Sequence, residues 1–165
     1  MNEYYRAIGR VAVTAGSVEF ELGFFVWGLL DADQKLGHQV TAGEPFEALA
    51  AKVERLAKYR FAGTRDDLVE RIRSFLTEAR QFNTERNQVL HAAVTTGDGG
   101  LGRLRLPRSG AVQTTTYTVE QLDALAEQGH RVYSVGAAIL DDIATEPGYE
   151  HVRPSSKGNK REGTA

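Results

Sequence analysis

The stretch RVAVTAGSVEFELGFFVWGLL, residues 10–30, decides how the rest of the chain is read. Val11, Ala15, Val18, Leu22, Phe25 and Leu29, continued back to Ile8, recur in alternating steps of three and four, which puts them on one helix face. A second stripe, Phe20, Phe24 and Trp27, lies beside the first. From Val18 to Leu30 the helix is apolar almost all round, as in a helix central to a bundle or one buried against a second subunit. Gly16 and Gly23 stand seven apart and admit close backbone approach, at a cost in helix propensity. The spacing predicts one long helix from Glu3 to Leu30.

Further along, Pro45 in TAGEPF (41–46) suits the first position of a second helix, where its missing N–H costs nothing. Phe46, Leu49, Val53 and Leu56 form its face, and Gly63 is placed to stop it. Thr64 is the expected cap of a third helix running from Arg65 to about Val94. Asp66 and Asp67 fall in its first turn, where the helix dipole favours acids. Thr118 and Gln121 make a capping-box pair for a fourth helix, with Leu122, Leu125, Gly129, Val132, Gly136, Ile139 and Ile143 in three-four steps.

Between the third and fourth helices, TTGDGGLGRLRLPRSGAVQTTTYT (95–118) breaks the helical pattern. Leu104 and Leu106 alternate with Arg103 and Arg105, QTTTYT is β-prone and Ser109-Gly110 suits a turn; together they predict a small hairpin over about 101–117. No Gly-Lys-Ser/Thr follows the glycines, so this is not a phosphate loop. Residues 146–165 lack apolar content and read as a disordered tail. The expected fold is all-α: an up-down four-helix bundle over residues 1–145 with a β-hairpin inserted between the third and fourth helices.

The chain has 165 residues, 41% of them apolar and 25% charged, which suits one soluble globular domain. It has no cysteine, which excludes disulfides and Cys-based zinc sites. Glu3, Arg6 and Arg10 interrupt any N-terminal signal sequence, and Glu21 interrupts the richest apolar window, so no membrane span and a cytoplasmic location are expected. A net charge of −2 argues against charge-driven coating of nucleic acid but leaves room for a local basic site.

The second informative stretch is ERNQVLHAAV, residues 85–94. Leu68, Ile72, Phe75, Ala79 and Phe82 lead along one helix face to position 86, then to Leu90 and Ala93. That position is Arg. At 100° per residue, Arg86 lies between Phe82 and Leu90, each about 40° away. A guanidinium there must snorkel, find a buried acid such as Glu19, or line a cleft. Asn87 and His91 are four apart and share a face about 100–140° round from Arg86, and Asn83 fills the space between. Polar residues near a helix end are also common without function, and His91 there is favoured by the helix dipole.

The run Arg86-Asn87-Gln88-Val89-Leu90-His91, near the end of a long helix, resembles the motif of the HEPN superfamily (higher eukaryotes and prokaryotes nucleotide-binding). Glu85, the long first helix with Glu19 and the helix order add to the resemblance, which spans roughly residues 5 to 144. It departs in the Ala92-Ala93 that follow the histidine and in the hairpin. The resemblance implies a helical homodimer acting as a metal-independent endoribonuclease, a toxin or phage-defence component with an antitoxin protein as partner. Arg86, Asn87 and His91 would then be catalytic, RNA the substrate, and no cofactor needed. Some HEPN domains have lost catalysis, and the alternative is a non-catalytic helical dimer binding nucleotide, RNA or a protein partner, or a purely structural bundle.

Other candidates are weaker. Arg103, Arg105 and Arg108 either contact RNA phosphates beside the cleft, with Asn83, or protect the exposed hairpin edge by charge. His38, His130 and His151 show no metal-ligand spacing with a carboxylate. Asp141 and Asp142 with Glu146 fit a solvated helix face better than a cation site. Ser17, Ser74, Ser109 and Ser134 lack the context of an activated nucleophile.

Overall fold

The computed structural model describes residues 2–91, 101–105 and 113–147, with side chains from 2–91 and 116–147. Five helices stand among the described residues: α1 (Asn2–Leu30), α2 (Gln34–Thr41), α3 (Phe46–Phe61), α4 (Asp66–Leu90) and α5 (Val119–Thr145). The protein is all-α in character. Two five-residue strands, β1 (Leu101–Arg105) and β2 (Gln113–Tyr117), pair antiparallel between α4 and α5, with Arg103 opposite Thr115.

α1 is the central helix, in contact with each of the other four. Its first stripe is enclosed: Val11, Val18, Leu22, Phe25 and Leu29 are all 1% exposed or less. Phe25 stacks on Phe75 of α4, ring centroids 5.0 Å apart. The second stripe is not enclosed. Phe20 is exposed, and Phe24 and Trp27 follow it edge to face along the helix.

Contacts along α1 fix the helix directions. Arg10 is paired with Asp123, Thr14 lies by Gly129 and Glu21 by Gly136, so α5 runs parallel to α1. Phe82 meets Gly129, Phe75 meets Gly136 and Arg71 reaches Asp142, so α4 runs antiparallel to both. The glycines permit this closeness. A Cβ at Gly129 would stand 2.4 Å from the Phe82 ring, and one at Gly136 would stand 2.9 Å from Phe75.

The expectation of four helices missed α2, a stretch with little apolar content that is held by its caps and one aromatic neighbour. Asp33 accepts a hydrogen bond from the Leu36 N–H, the N-cap arrangement. Gly37 lies flat on the Trp27 ring, where a Cβ would come within 2.5 Å, and the Trp27 indole N–H donates to Thr41 Oγ1 at 2.9 Å. Trp27 thus spends much of its apolar surface on α2.

Helix ends follow the sequence closely. Pro45 is the N-cap of α3 rather than its first residue, and Gly63 takes a φ of +79° just past its end, a left-handed conformation that favours glycine. Thr64 does not cap α4. Its hydroxyl donates back to the Phe61 carbonyl, Arg65 holds the N-cap position, and Asp66 accepts from the Gly63 N–H. Thr118 and Gln121 form both halves of the capping box on α5. α4 ends at Leu90 with His91 as its C-cap, short of the expected end near Val94. The Ser109-Gly110 turn and nearly all of the 146–165 tail lie outside the described residues.

α1 is also the one described helix long and apolar enough, by length and composition, to cross a membrane; half of its most apolar window is buried inside this fold.

Candidate functional site at the end of the fourth helix

α4 buries Leu68, Ile72, Phe75, Leu76, Ala79, Phe82, Asn83 and Val89. At 100° per residue these centre on a line that passes within about 10° of position 86. The sequence register is therefore right for Arg86, whose side chain is only 18% exposed. Its Nη2 donates to Glu19 Oε1 across the α1–α4 contact. Of the three ways to seat a guanidinium on an apolar stripe, this one uses an acid at the rim: the Glu19 side chain is 41% exposed, so the pair is only partly desolvated.

The last turn departs from the expected register in one respect. Val89 is the buried residue and Leu90 is half-buried, whereas the stripe predicted Leu90. Val89 falls about 20° to one side of Phe82 on the wheel, so the enclosed face swings as the helix leaves its neighbours. Ala93 lies outside the described residues.

Asn87 is half-buried. His91 is exposed at the C-cap, its backbone N–H donating to the Asn87 carbonyl at 3.1 Å. It stands about 140° round the helix from Arg86 and one and a half turns on, so within one chain guanidinium and imidazole do not converge on a common atom. Asn83, expected among substrate-binding residues, is 8% exposed, and its Oδ1 is buried without a hydrogen-bond partner. An acceptor left unpaired in a closed place costs roughly 1–3 kcal/mol. Arg103 and Arg105 belong to β1, but their side chains, like all of Arg108, lie outside what is described.

One ionisable residue gained weight only in three dimensions. Glu21, two positions from Glu19, is 4% exposed against Gly136 and Phe75. Burial, with the Asp141 carboxylate as a smaller influence, raises its pKa to about 7. The signal in the sequence is Glu21 within FELGFF (20–25), which reads only as an interruption of an apolar run. No group of three or more metal-ligating side chains occurs among the described residues. Asp142 is engaged with Arg71 and Glu146 with Arg65.

Comparison with known proteins adds no relative: no family model, no curated protein and no solved structure matches this chain.

Proposed function

We propose that the protein is an HEPN-like, metal-independent endoribonuclease, a toxin or phage-defence component working in the cytoplasm as a homodimer. In this reading the long helices form a bundle of the four-helix class, with β1 and β2 closing as a hairpin beside the RNA. The observation that carries it is the seating of Arg86 on the buried line of α4, held at the rim by Glu19, with Asn87 and His91 in the following turn and a half. A cation so placed is partly shielded from water yet close to the surface, where it can meet a phosphate.

The chemistry needs few parts. The 2′-hydroxyl attacks phosphorus and loses its proton to a base; the 5′-oxygen leaves and takes a proton from an acid; the products are a 2′,3′-cyclic phosphate and a 5′-hydroxyl. Imidazole suits either proton transfer near neutral pH. Arg86 would neutralise the charge that builds on the phosphoryl oxygens, exchanging Glu19 for substrate. Asn87 would orient the phosphate or His91. One chain offers one histidine in this region, and the second would come from the partner copy.

The second reading, a non-catalytic helical dimer that binds nucleotide, RNA or a protein partner, draws on the same ion pair. A guanidinium already occupied by Glu19, with the imidazole turned away from it, also fits a structural role. RNA cleavage by the wild type and by Arg86→Ala and His91→Ala, with the new termini identified, separates the two. Cyclic-phosphate ends that disappear in both variants are expected. Equal cleavage by all three proteins, or 3′-hydroxyl ends, would overturn the ribonuclease reading.

A further inference from the structure

Glu21 is the only ionisable side chain buried among the described residues. No hydrogen bond or ion pair engages its carboxyl there. Its stem lies directly against the backbone of α5: a Cβ at Gly136 would stand 3.0 Å from Glu21 Cγ and 2.9 Å from the Phe75 ring. A carboxylate in that place has lost its water and gained no partner in exchange, whereas a neutral carboxyl is far less costly.

The way α5 is fastened is a second, separate observation. Near its start, Asp123 pairs with Arg10 of α1. Near its end, Asp142 accepts from Arg71 of α4 at 2.6 Å, and Glu146 pairs with Arg65, the N-cap of α4. The start of α5 is thus tied to α1 and its end to α4. Among the described residues no other ion pair or side-chain hydrogen bond joins α1 to α5. The contact at Glu21 and Gly136 is packing alone.

We propose that Glu21 is a proton-operated latch between α1 and α5: protonated, it admits α5 over Gly136, and ionised, it drives the C-terminal third of α5 off α1, with the helix still held at Arg10–Asp123, Arg71–Asp142 and Arg65–Glu146. The latch does not depend on the ribonuclease reading.

Two elements pack against Glu21, and neither offers it a cation among the described residues. α5 brings Asp141, whose negative charge opposes ionisation, and Asp142, which is occupied by Arg71. Glu127 and His130 stand about two turns nearer the start of α5, beside Arg6 and Arg10. α4 brings Phe75, with Arg71 and Glu78 exposed about a turn to either side. On α1 itself, Glu19 is turned to Arg86. Water is the remaining partner for an ionised Glu21, and it enters when the seam opens. Burial first, then Asp141, raise the pKa to about 7. The sign follows: the seam is closed in acid and opens as pH rises through neutrality. A hydrated carboxyl in the open seam returns to its ordinary 4.5, so the ratio of open to closed grows at most about 300-fold across this range.

The absence of cysteine allows spin labels to be placed in chosen pairs on the full chain. Phe20→Cys with Ala138→Cys reports the seam at the level of Glu21. Val13→Cys with Arg131→Cys reports its fastened end, and all four positions are exposed. Between about pH 5 and pH 8.5, electron paramagnetic resonance on the first pair should show a longer distance whose population grows with pH. The second pair and the helical circular dichroism should stay constant. Glu21→Gln, neutral at every pH, should keep the first pair at its short distance throughout. Glu21→Met, of similar length and also without a carboxyl, should do the same. Asp141→Asn removes the lesser cause and should reduce the rise without abolishing it. A first-pair distance that ignores pH in the otherwise wild-type chain would overturn the latch. Lengthening of both pairs together, or loss of circular dichroism over the same range, would mark general loosening and overturn it as well. A rise that persists in Glu21→Gln or Glu21→Met would place the trigger on another group.

Discussion

Glu19 and Glu21 lie two residues apart on one helix and do opposite things. Glu19 stands at the rim, holds a guanidinium and keeps 41% of its side chain in contact with solvent. Glu21 points inward against Phe75 and Gly136 and has no paired cation among the described residues, and burial raises its pKa to about 7. On a helix, two residues amount to about 200° of rotation, enough to move a carboxylate from a surface to a core. A charge on α1 is thus useful or costly according to its side, as these two carboxylates show.

The comparison can be broken from either side. The largest effect expected is on the rim, in activity. Arg86→Ala should lower RNA cleavage by about 10²–10³, the usual loss when one donor to a developing oxyanion is removed. If cleavage persists, the cation at the rim is structural and Glu19 merely satisfies it.

Glu21 should show in stability against pH. Its folded pKa lies above its ordinary value of 4.5, so folded and unfolded chains are both protonated in acid. As pH rises above 4.5 the unfolded chain loses the proton first and stability falls, until the folded carboxyl ionises near 7 and the loss is complete. A displacement of this size corresponds to about 3 kcal/mol. Urea unfolding at several pH values should show Glu21→Gln gaining on the wild type by about that amount between acid and mildly alkaline pH. A constant difference would mean that Glu21 is wetter, or better paired, than its surroundings indicate.

Packing around Glu21 should matter next. Gly136→Ala places a Cβ about 3 Å from both Phe75 and the Glu21 side chain and should cost about 1–3 kcal/mol in thermal unfolding. The smallest effect belongs to Glu19→Gln. A partly exposed ion pair contributes roughly 0–1 kcal/mol, so stability should barely move, even though the change frees Arg86. A loss as large as that of Gly136→Ala would show the rim pair to be a structural clasp.

Much of this was legible in one dimension, because local signals have local causes. The long α1, the glycine stop after α3, the acidic first turn of α4 and the capping box of α5 each rest on residues within a few positions of one another. The rank of Arg86 on the buried line of α4 was legible too, since helical period needs no partner to be counted. α2 was not, because its apolar anchor, the Trp27 ring, belongs to another helix. Leu90 was misjudged for a related reason: the enclosed face near a helix end depends on where neighbouring helices stop. Of the candidate site, residue identities and spacing could be read, but the enclosure of Asn83 and the outward turn of His91 could not.

By itself, then, the sequence determined that the chain is helical, where its long helices run, and that α1 has more apolar surface than one face can use. Only the tertiary structure decided how that surface is divided. α3, α4 and α5 enclose one side, Trp27 gives part of the next to α2, and the side carrying Gly9, Val13, Gly16 and Phe20 is left open. The physical reason is that periodicity records which residues share a face, whereas burial depends on what arrives to cover that face, and the covering helices come from distant parts of the chain.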